Sequence, residues 1–169
     1  MAINIYDSFT NHRAGEIFKG ISFNDEVFVM EWTMLPEGYV LLEHVHLYQD
    51  EKFYVRSGNL KVVIDGIAHT ASAGETITVP KGKRHIAYNH GKDILNCVVE
   101  YRPGLDHYKF FQCFAGLIQD DYLDKTGGID VPKMAYFLFR MNAKCMARPT
   151  KIPAPVYSFA LRFFYLLGT

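Results

Sequence analysis

The stretch from Gly38 to Gly58 reads GYVLLEHVHLYQDEKFYVRSG, and it places two histidines and a glutamate at short spacing. His44 and His46 lie two positions apart on a predicted strand, so both imidazole rings point to one face of the sheet. Glu51 follows on the next predicted strand after a short turn, which brings its carboxylate back beside the rings. A His-x-His pair on an arbitrary strand is more often a surface feature, so these residues alone do not establish a metal site.

A second stretch, Gly74 to Asn89, reads GETITVPKGKRHIAYN and contributes His85. If the sheet brings this segment next to the first, three imidazoles and one carboxylate meet. That mixture suits Fe, Mn, Ni, Zn or Cu, and it leaves coordination positions open when the ion prefers five or six ligands.

Residues 26 to 101 read as a series of short strands separated by turn residues. Asp65-Gly66 is the strongest hairpin signal, and Pro80-Lys81-Gly82 marks another turn. Strands at such close intervals indicate a sandwich or a closed barrel, because a helix-rich α/β unit would need helical segments for which there is no room.

The two stretches resemble the two sequence motifs of the cupin superfamily. The first motif, G-x5-H-x-H-x3,4-E-x6-G, and the second, G-x5-P-x-G-x2-H-x3-N, match at every specified position, namely Gly38, His44, His46, Glu51, Gly58, Gly74, Pro80, Gly82, His85 and Asn89. The 15 residues between Gly58 and Gly74 fit the spacing of small bacterial cupins. With a three-residue spacer Asp50 would be the carboxylate, but the motif specifies Glu, so Glu51 is chosen.

The resemblance implies a mainly β fold, the cupin double-stranded β-helix or jelly-roll barrel. It also implies one divalent transition metal (Fe, Mn, Ni or Zn) held by His44, His46, Glu51 and His85. Metal-binding cupins include dioxygenases, decarboxylases, isomerases and binding proteins, and the fold does not select among them. We expect a metal-dependent enzyme acting on a small oxygenated molecule, with a dioxygenase favoured; the alternative is a non-catalytic binding or sensing protein.

The pattern changes to helical spacing after Pro103-Gly104. One helix is predicted around Phe110 to Ile118, and a second begins with Asp130 as N-cap and Pro132 in its first turn. Arg148 to Pro155 contains three prolines and is interpreted as a linker, and Val156 to Leu167 is a third helical candidate. We therefore divide the chain into a barrel at residues 1–102 and a helical extension at 103–169, packed on the barrel or on a dimer partner.

The charge is zero overall but unevenly distributed. Residues 1–129 carry 12 Lys and Arg against 17 Asp and Glu, whereas residues 130–169 carry 6 against a single Asp. Part of that excess forms a basic stripe predicted on the second helix: Lys133, Arg140, Lys144 and Arg148. We expect the extension to pack on the acidic barrel, within the chain or across a homodimer, rather than on a membrane, and we expect no nucleic-acid partner.

Three widely spaced cysteines, Cys97, Cys113 and Cys145, favour a reducing compartment over a disulfide framework. The N-terminal residues lack a basic start and an apolar core, and no apolar run reaches transmembrane length. These features predict a cytoplasmic protein.

The residues around the predicted ligands suggest how a pocket is lined. Val40 and Leu42 share a strand face with the two histidines, and further lining candidates are Trp32, Tyr54, Tyr88, Cys97 and Tyr101. Glu43 should point away from the site, Glu100 could face either side, and Asn89 is expected to tie down a turn.

Overall fold

The computed structural model describes residues 4, 6–36, 38, 40, 42–140, 147–150, 153, 155, 156, 159, 162, 163 and 166. Its strands are β1 (Phe9–Asn11), β2 (Glu16–Phe23), β3 (Phe28–Met34), β4 (His44–His46), β5 (Asp50–Ser57), β6 (Asn59–Ile64), β7 (Ile67–Ser72), β8 (Thr76–Val79), β9 (Arg84–Asn89), β10 (Leu95–Arg102) and β11 (Ala147–Pro149). Its helices are α1 (His107–Gln119) and α2 (Val131–Arg140).

The strands form two antiparallel sheets that face each other. One sheet has the order β1-β2-β3-β10-β5-β8, and the other has the order β11-β4-β9-β6-β7. Neighbours in space are often distant in the chain, as with β3 and β10. This is the jelly-roll barrel expected from the sequence.

Alternating side chains build the barrel interior. Along β3 and β10 every second residue is buried, from Phe28 to Met34 and from Leu95 to Tyr101. The predicted hairpin is present between β6 and β7, where Asp65 and Gly66 both have positive φ, as a tight turn between twisted strands requires.

Helix α1 covers part of the inner face of the larger sheet with an aromatic cluster. The ring centroids of Phe111 and Phe114 lie 5.5 and 5.7 Å from the ring centroid of Phe18. Phe111 also stacks on Phe28. This packing joins the segment after residue 102 to the core of the barrel. The division of the chain at residue 102 nevertheless stays a prediction.

Helix α2 begins as predicted. The Asp130 carboxylate accepts a hydrogen bond from the backbone N–H of Lys133, which is the N-cap interaction. The Lys133 ammonium returns to the same Asp130 and lies over the ring of Tyr122. The predicted basic stripe was wrong at Arg148, which lies in β11, and Lys144 falls outside the described residues.

The proline-rich segment differs from the predicted linker. Residues Ala147–Pro149 form β11, which pairs antiparallel with β4, so that Ala147 lies opposite His46 and Pro149 opposite His44. Proline is tolerated in such a place because an edge strand has N–H groups without a ladder partner. Thr150 continues the contact through its backbone N–H to the carbonyl of Glu43.

Two strands at the beginning of the chain were not predicted. β1 and β2 extend the larger sheet beyond β3. The strand predicted to carry His44 and His46 is β4. The third helical candidate, Val156 to Leu167, lies mostly outside the described residues.

Among the described residues, no helix combines the length and apolarity needed to span a bilayer. Cys97 and Cys113 are both free and buried, and burial raises the pKa of each thiol to about 12.

Candidate metal centre

Three strands, two from one sheet and one from the other, bring the four predicted residues together. β4 carries His44 and His46 on one face, and its antiparallel pairing with β9 sets His44 directly opposite His85. Residues 47–49 connect β4 to β5, which returns the chain to place Glu51 beside them. His46, Glu51 and His85 are buried, and His44 is half-buried.

The donor atoms of this cluster converge on one point. One ligand atom from each of the four residues lies within 4.8 Å of all the others. The Nε2 atoms of His44 and His46 are 3.2 Å apart, and the Oε2 atom of Glu51 lies 2.7 Å from His85 Nε2 and 3.5 Å from His46 Nε2.

These separations fit a metal ion. Imidazole nitrogens bind transition metals at about 2.0–2.1 Å, so two nitrogens in adjacent coordination positions lie about 3.0–3.4 Å apart. The His44–His46 separation falls within that range, and the Glu51–His85 contact is shorter by a few tenths of an ångström. The donor set of three imidazoles and one carboxylate is one that Fe, Mn, Ni and Zn accept.

Backbone carbonyls fix the tautomer of two of the rings. His44 Nδ1 lies 2.9 Å from the carbonyl oxygen of Leu42, and His85 Nδ1 lies 3.1 Å from that of Lys83. A carbonyl only accepts, so Nδ1 carries a hydrogen in both rings and the Nε2 atom faces the cluster. The Nδ1 atom of His46 is buried with no hydrogen-bond partner.

The electrostatics of the cluster favour an ionised carboxylate beside a neutral imidazole. Burial lowers the pKa of His44 to about 3, and the neighbouring His46 and His85 add to that shift. Burial alone would raise the pKa of Glu51, but hydrogen bonds from His46 and His85 outweigh it and hold the pKa well below its usual value. For His85, burial works to lower the pKa, but the hydrogen bond to Glu51 prevails and raises it.

The structure distinguishes Asp50 from Glu51, the two neighbouring acids between which the spacing of the first motif left a choice. Asp50 is exposed, and its carboxylate accepts a hydrogen bond from the backbone N–H of Lys81 at 2.8 Å. Glu51 points into the barrel. Alternation along β5 therefore gives the inward position to the glutamate that the sequence motif specifies.

Three aromatic or polar side chains form a wall behind the cluster. The Tyr101 ring lies edge-on to His46 at 5.3 Å, and its hydroxyl donates a hydrogen bond to Glu51. His107 stacks on Tyr101 at 3.9 Å and lies 5.4 Å from the ring of His46. Its Nδ1 meets the side-chain oxygen of Gln49 at 3.1 Å.

Burial sets the protonation of this wall. It raises the pKa of Tyr101 well above its usual value, with help from the charge of Glu51, so the phenol keeps its proton. Burial also lowers the pKa of His107 well below its usual value, and the neighbouring His46 adds to the effect. The wall therefore adds no net charge beside the cluster.

The proposed lining residues divide between the two faces of the sheet. Trp32, Cys97 and Tyr101 are buried on the inner face. Tyr54 lies outside the barrel, where its hydroxyl donates to Glu100. Leu42 is 43% exposed and offers its backbone carbonyl rather than its side chain to His44.

Two other residues behave as expected. Asn89 ties a turn, because its amide donates to the carbonyls of Met34, Leu35 and Asp93 and its oxygen accepts from the N–H of Gly91. The Glu43 carboxylate accepts from the Thr150 hydroxyl.

Sequence reasoning missed a second buried carboxyl group, Glu16 on β2. It is 4% exposed and accepts a hydrogen bond from Trp32 Nε1 at 3.3 Å. Burial raises its pKa to about 8, against the opposing effect of that hydrogen bond. Glu16 was missed because it belongs to neither motif. His107 and the role of Gln49 were missed for the same reason, since neither residue is a specified position of a motif.

Comparison with known proteins identifies the barrel. The family model of the cupin domain matches residues 30–101. The curated protein SchB of Streptomyces halstedii is 35% identical over 59 residues, which cover 35% of this chain and 43% of SchB. The matched region therefore spans less than half of the length of that relative.

Solved structures share the same barrel. Pac13, a nucleoside dehydratase of Streptomyces, is 17% identical with a TM-score of 0.50 over 60% of this chain and 79% of Pac13. KdgF from Halomonas sp. is 18% identical with a TM-score of 0.50 over 60% of this chain and 97% of KdgF. A conserved double-stranded β-helix protein from Klebsiella pneumoniae is 22% identical with a TM-score of 0.49, over 57% of this chain and 84% of that one. At these identities the likeness shows the fold alone.

The fold, the clustered side chains and the match over residues 30–101 together define a cupin domain. The chain therefore contains a cupin domain at residues 30–101, a region that makes up less than half of its length.

Proposed function

We propose that this protein is a metal-dependent enzyme that acts on a small oxygenated molecule inside the barrel. The observation that carries the proposal is the convergence of His44, His46, Glu51 and His85, whose ligand atoms all lie within 4.8 Å of one another. Ionisable side chains are rarely gathered inside an apolar barrel, because burying them costs free energy unless a function or a partner compensates for it.

The four residues would hold one ion of Fe, Mn, Ni or Zn. When bound, such an ion supplies Lewis-acid polarisation of a substrate oxygen or, for a redox-active metal, activation of O₂. Four protein ligands leave room for a substrate oxygen when the ion is five- or six-coordinate.

The chain itself prepares the site for that role. The carbonyls of Leu42 and Lys83 keep the Nε2 atoms of two imidazoles turned inward. Tyr101 donates to Glu51 and orients the carboxylate. Buried apolar side chains around the cluster exclude water, which strengthens electrostatic interactions inside the barrel.

Oxygen-dependent oxidation is the candidate reaction to test first, and isomerisation and decarboxylation are tested after it. A cluster of three imidazole ligands and one carboxylate accommodates redox-active metals. Purified protein, prepared without chelators or added metals, is analysed for its elements and then assayed for oxygen uptake with catechol, thiol and flavonol-type substrates. A bound redox metal with uptake supports the proposal, and metal-free protein without uptake contradicts it.

Two adjacent acids provide a matched test of the ligand set. Glu51→Gln removes the inward carboxylate, and we expect metal affinity to fall by at least about tenfold, since even residues that only support a ligand are worth that much. Asp50→Asn changes an exposed neighbour bonded to Lys81 and should leave metal affinity unchanged. Isothermal titration with Zn²⁺ measures both, and equal affinities would argue against the ligand assignment.

A non-catalytic ligand-binding or sensing protein is the second candidate. The observation that favours it is that the cluster makes hydrogen bonds of its own, between Glu51 and His85 and between His44 and His46, and leaves only His46 Nδ1 without a partner among the described residues. Such a network can serve as the polar floor of a binding chamber. Thermal-shift screening with sugars and small acids separates the two, because stabilisation without turnover favours binding.

A further inference from the structure

A fourth histidine, which is buried, lies behind the cluster in the segment that follows the matched cupin domain. His107 is the first residue of α1 and is 2% exposed. Its ring stacks on Tyr101 at 3.9 Å, with 29° between the planes, and reaches within 5.4 Å of the ring of His46.

The orientation of His107 is fixed by Gln49. The Gln49 amide nitrogen lies 2.8 and 3.0 Å from the carbonyl oxygens of Pro103 and Gly104, and carbonyls only accept. The amide oxygen must therefore face His107, so its Nδ1 carries the hydrogen and donates it at 3.1 Å. Gln49 is itself 1% exposed, and it lies in the connection between the strands that carry His46 and Glu51.

A continuous series of contacts runs from this anchor to the cluster. Gln49 holds His107, His107 stacks on Tyr101, and the Tyr101 hydroxyl donates to Glu51. Burying an amide and an imidazole costs free energy that a phenyl ring at the same place would not, even with their hydrogen bonds made. The polar groups therefore indicate a requirement for fixed orientation beyond the filling of space.

We propose that Gln49 and His107 are positioning residues, which hold Tyr101 and through it the Glu51 carboxylate and the His46 ring in the geometry that the metal requires. The proposal rests on the proposed function, because it assumes that the cluster binds a metal. It assigns part of the metal centre to the segment after residue 102.

The test uses the full-length chain loaded with Co²⁺, whose visible absorption bands report coordination geometry. His107→Phe retains a stacking ring of similar size and removes only the polar contacts. We expect Co²⁺ affinity to fall about 10- to 100-fold and the absorption bands to shift, as when other supports of metal ligands are removed. Phe114→Leu is the control, because Phe114 belongs to the same helix but packs on Phe9, Phe18 and Phe110.

Several results would overturn the inference. His107→Phe with wild-type Co²⁺ affinity and wild-type bands shows that the ring only fills space. Equal losses in Phe114→Leu show a general effect of helix packing. If His107→Phe loses its circular dichroism, Gln49→Met takes its place with the same expected result. A wild-type chain that binds no Co²⁺ instead contradicts the proposed function, so the two failures are distinct.

Discussion

At the scale of single residues, the cluster shows how a protein keeps ligands ready for a cation. A buried imidazole whose pKa is near 3 does not compete for protons at neutral pH, so His44 offers its lone pair without first losing a charge. Glu51 keeps its negative charge because His46 and His85 stabilise it. Metal binding would therefore displace no proton from His44 near pH 7, whereas His85, whose pKa the hydrogen bond to Glu51 raises, must lose its proton before it binds.

Glu16 gives a prediction about pH and stability. Its pKa is about 8 in the folded chain and near 4.5 when exposed, so the folded chain binds a proton that the unfolded chain lacks between these values. The free energy of unfolding should fall as pH rises from about 5 to 8, with a slope of up to about 1.4 kcal/mol per pH unit from this group.

The variant Glu16→Gln keeps an acceptor for Trp32 and has no proton to lose. We expect it to abolish that part of the slope and to be more stable than wild type at pH 8, as measured by urea denaturation between pH 5 and 9. Glu31→Gln alters an exposed glutamate on the neighbouring strand and is the control. A wild-type slope in Glu16→Gln would show that another group titrates.

The sequence was sufficient to name the four clustered residues because each belongs to a motif with fixed spacing. It could not name Glu16, because a single glutamate on a strand is ordinarily solvated. It could not reveal His107 either, since the role of that residue depends on how α1 docks against β10. These residues act through contacts between distant segments, which short motifs do not record.

At the scale of elements, the turn between β5 and β6 depends on Gly58. Its φ is +80°, and a Cβ there would lie 2.8 Å from the carbonyl oxygen of Ile94 and 2.8 Å from the Cα of Leu95. Gly74 has a similar φ of +89° but no atom within 4 Å of the added carbon. Gly58 is therefore required both by its backbone angle and by the lack of space for a side chain, whereas Gly74 is required by its backbone angle alone.

These two glycines form a matched pair for mutation. Gly74→Ala should cost about 1–2 kcal/mol for the left-handed backbone alone. Gly58→Ala should cost about 1–3 kcal/mol more, because backbone atoms must move to admit the new carbon. Chemical denaturation measures the free energy of unfolding of both variants. Equal losses of stability would show that the backbone near Ile94 and Leu95 moves at little cost.

β11 supports a second prediction, because it pairs with the strand that carries His44 and His46. A chain ending at residue 140 lacks β11, whereas one ending at residue 150 keeps it. We expect faster amide hydrogen exchange over residues 44–46 and weaker Zn²⁺ binding in the shorter chain only. Equal exchange in the two chains would mean that β4 is held by β9 alone.

The strands of the motif region were predictable because turn residues separate them and alternation marks their inner faces. β1 and β2 were not, since their segment lacks a comparable succession of turn signals. β11 was hidden by its prolines, which favour a linker until an edge position is known. An edge strand depends on its partner, and local sequence does not identify that partner.

At the scale of the whole molecule, metal binding should appear as stability. A ligand that binds only the folded chain stabilises it by about 4 kcal/mol at a thousandfold excess over its Kd, which for a chain of this size is about 8–16 °C in melting temperature. Calorimetry with Zn²⁺ and with a chelator measures the difference. His44→Ala should remove it, and a shift that persists in this variant would place the ion elsewhere.

The homodimer also belongs to this scale and stays a prediction. It was expected because the chain resembles small cupins, with the interface formed by the barrel edge strands or by the helical extension. Light scattering during size-exclusion chromatography gives the mass directly, and a mass of 19.4 kDa would show a monomer.

The position of β11 and His107 has a consequence for how the centre matures during synthesis. All four clustered side chains have left the ribosome once residue 85 is free, but the ring behind them follows at residue 107 and the bordering strand at residue 147. Because a chain folds as its segments emerge, the nascent barrel presents its donors before their support exists. We therefore expect firm capture of an ion only after both supports have emerged, so that metallation would follow the synthesis of residues 107 and 147.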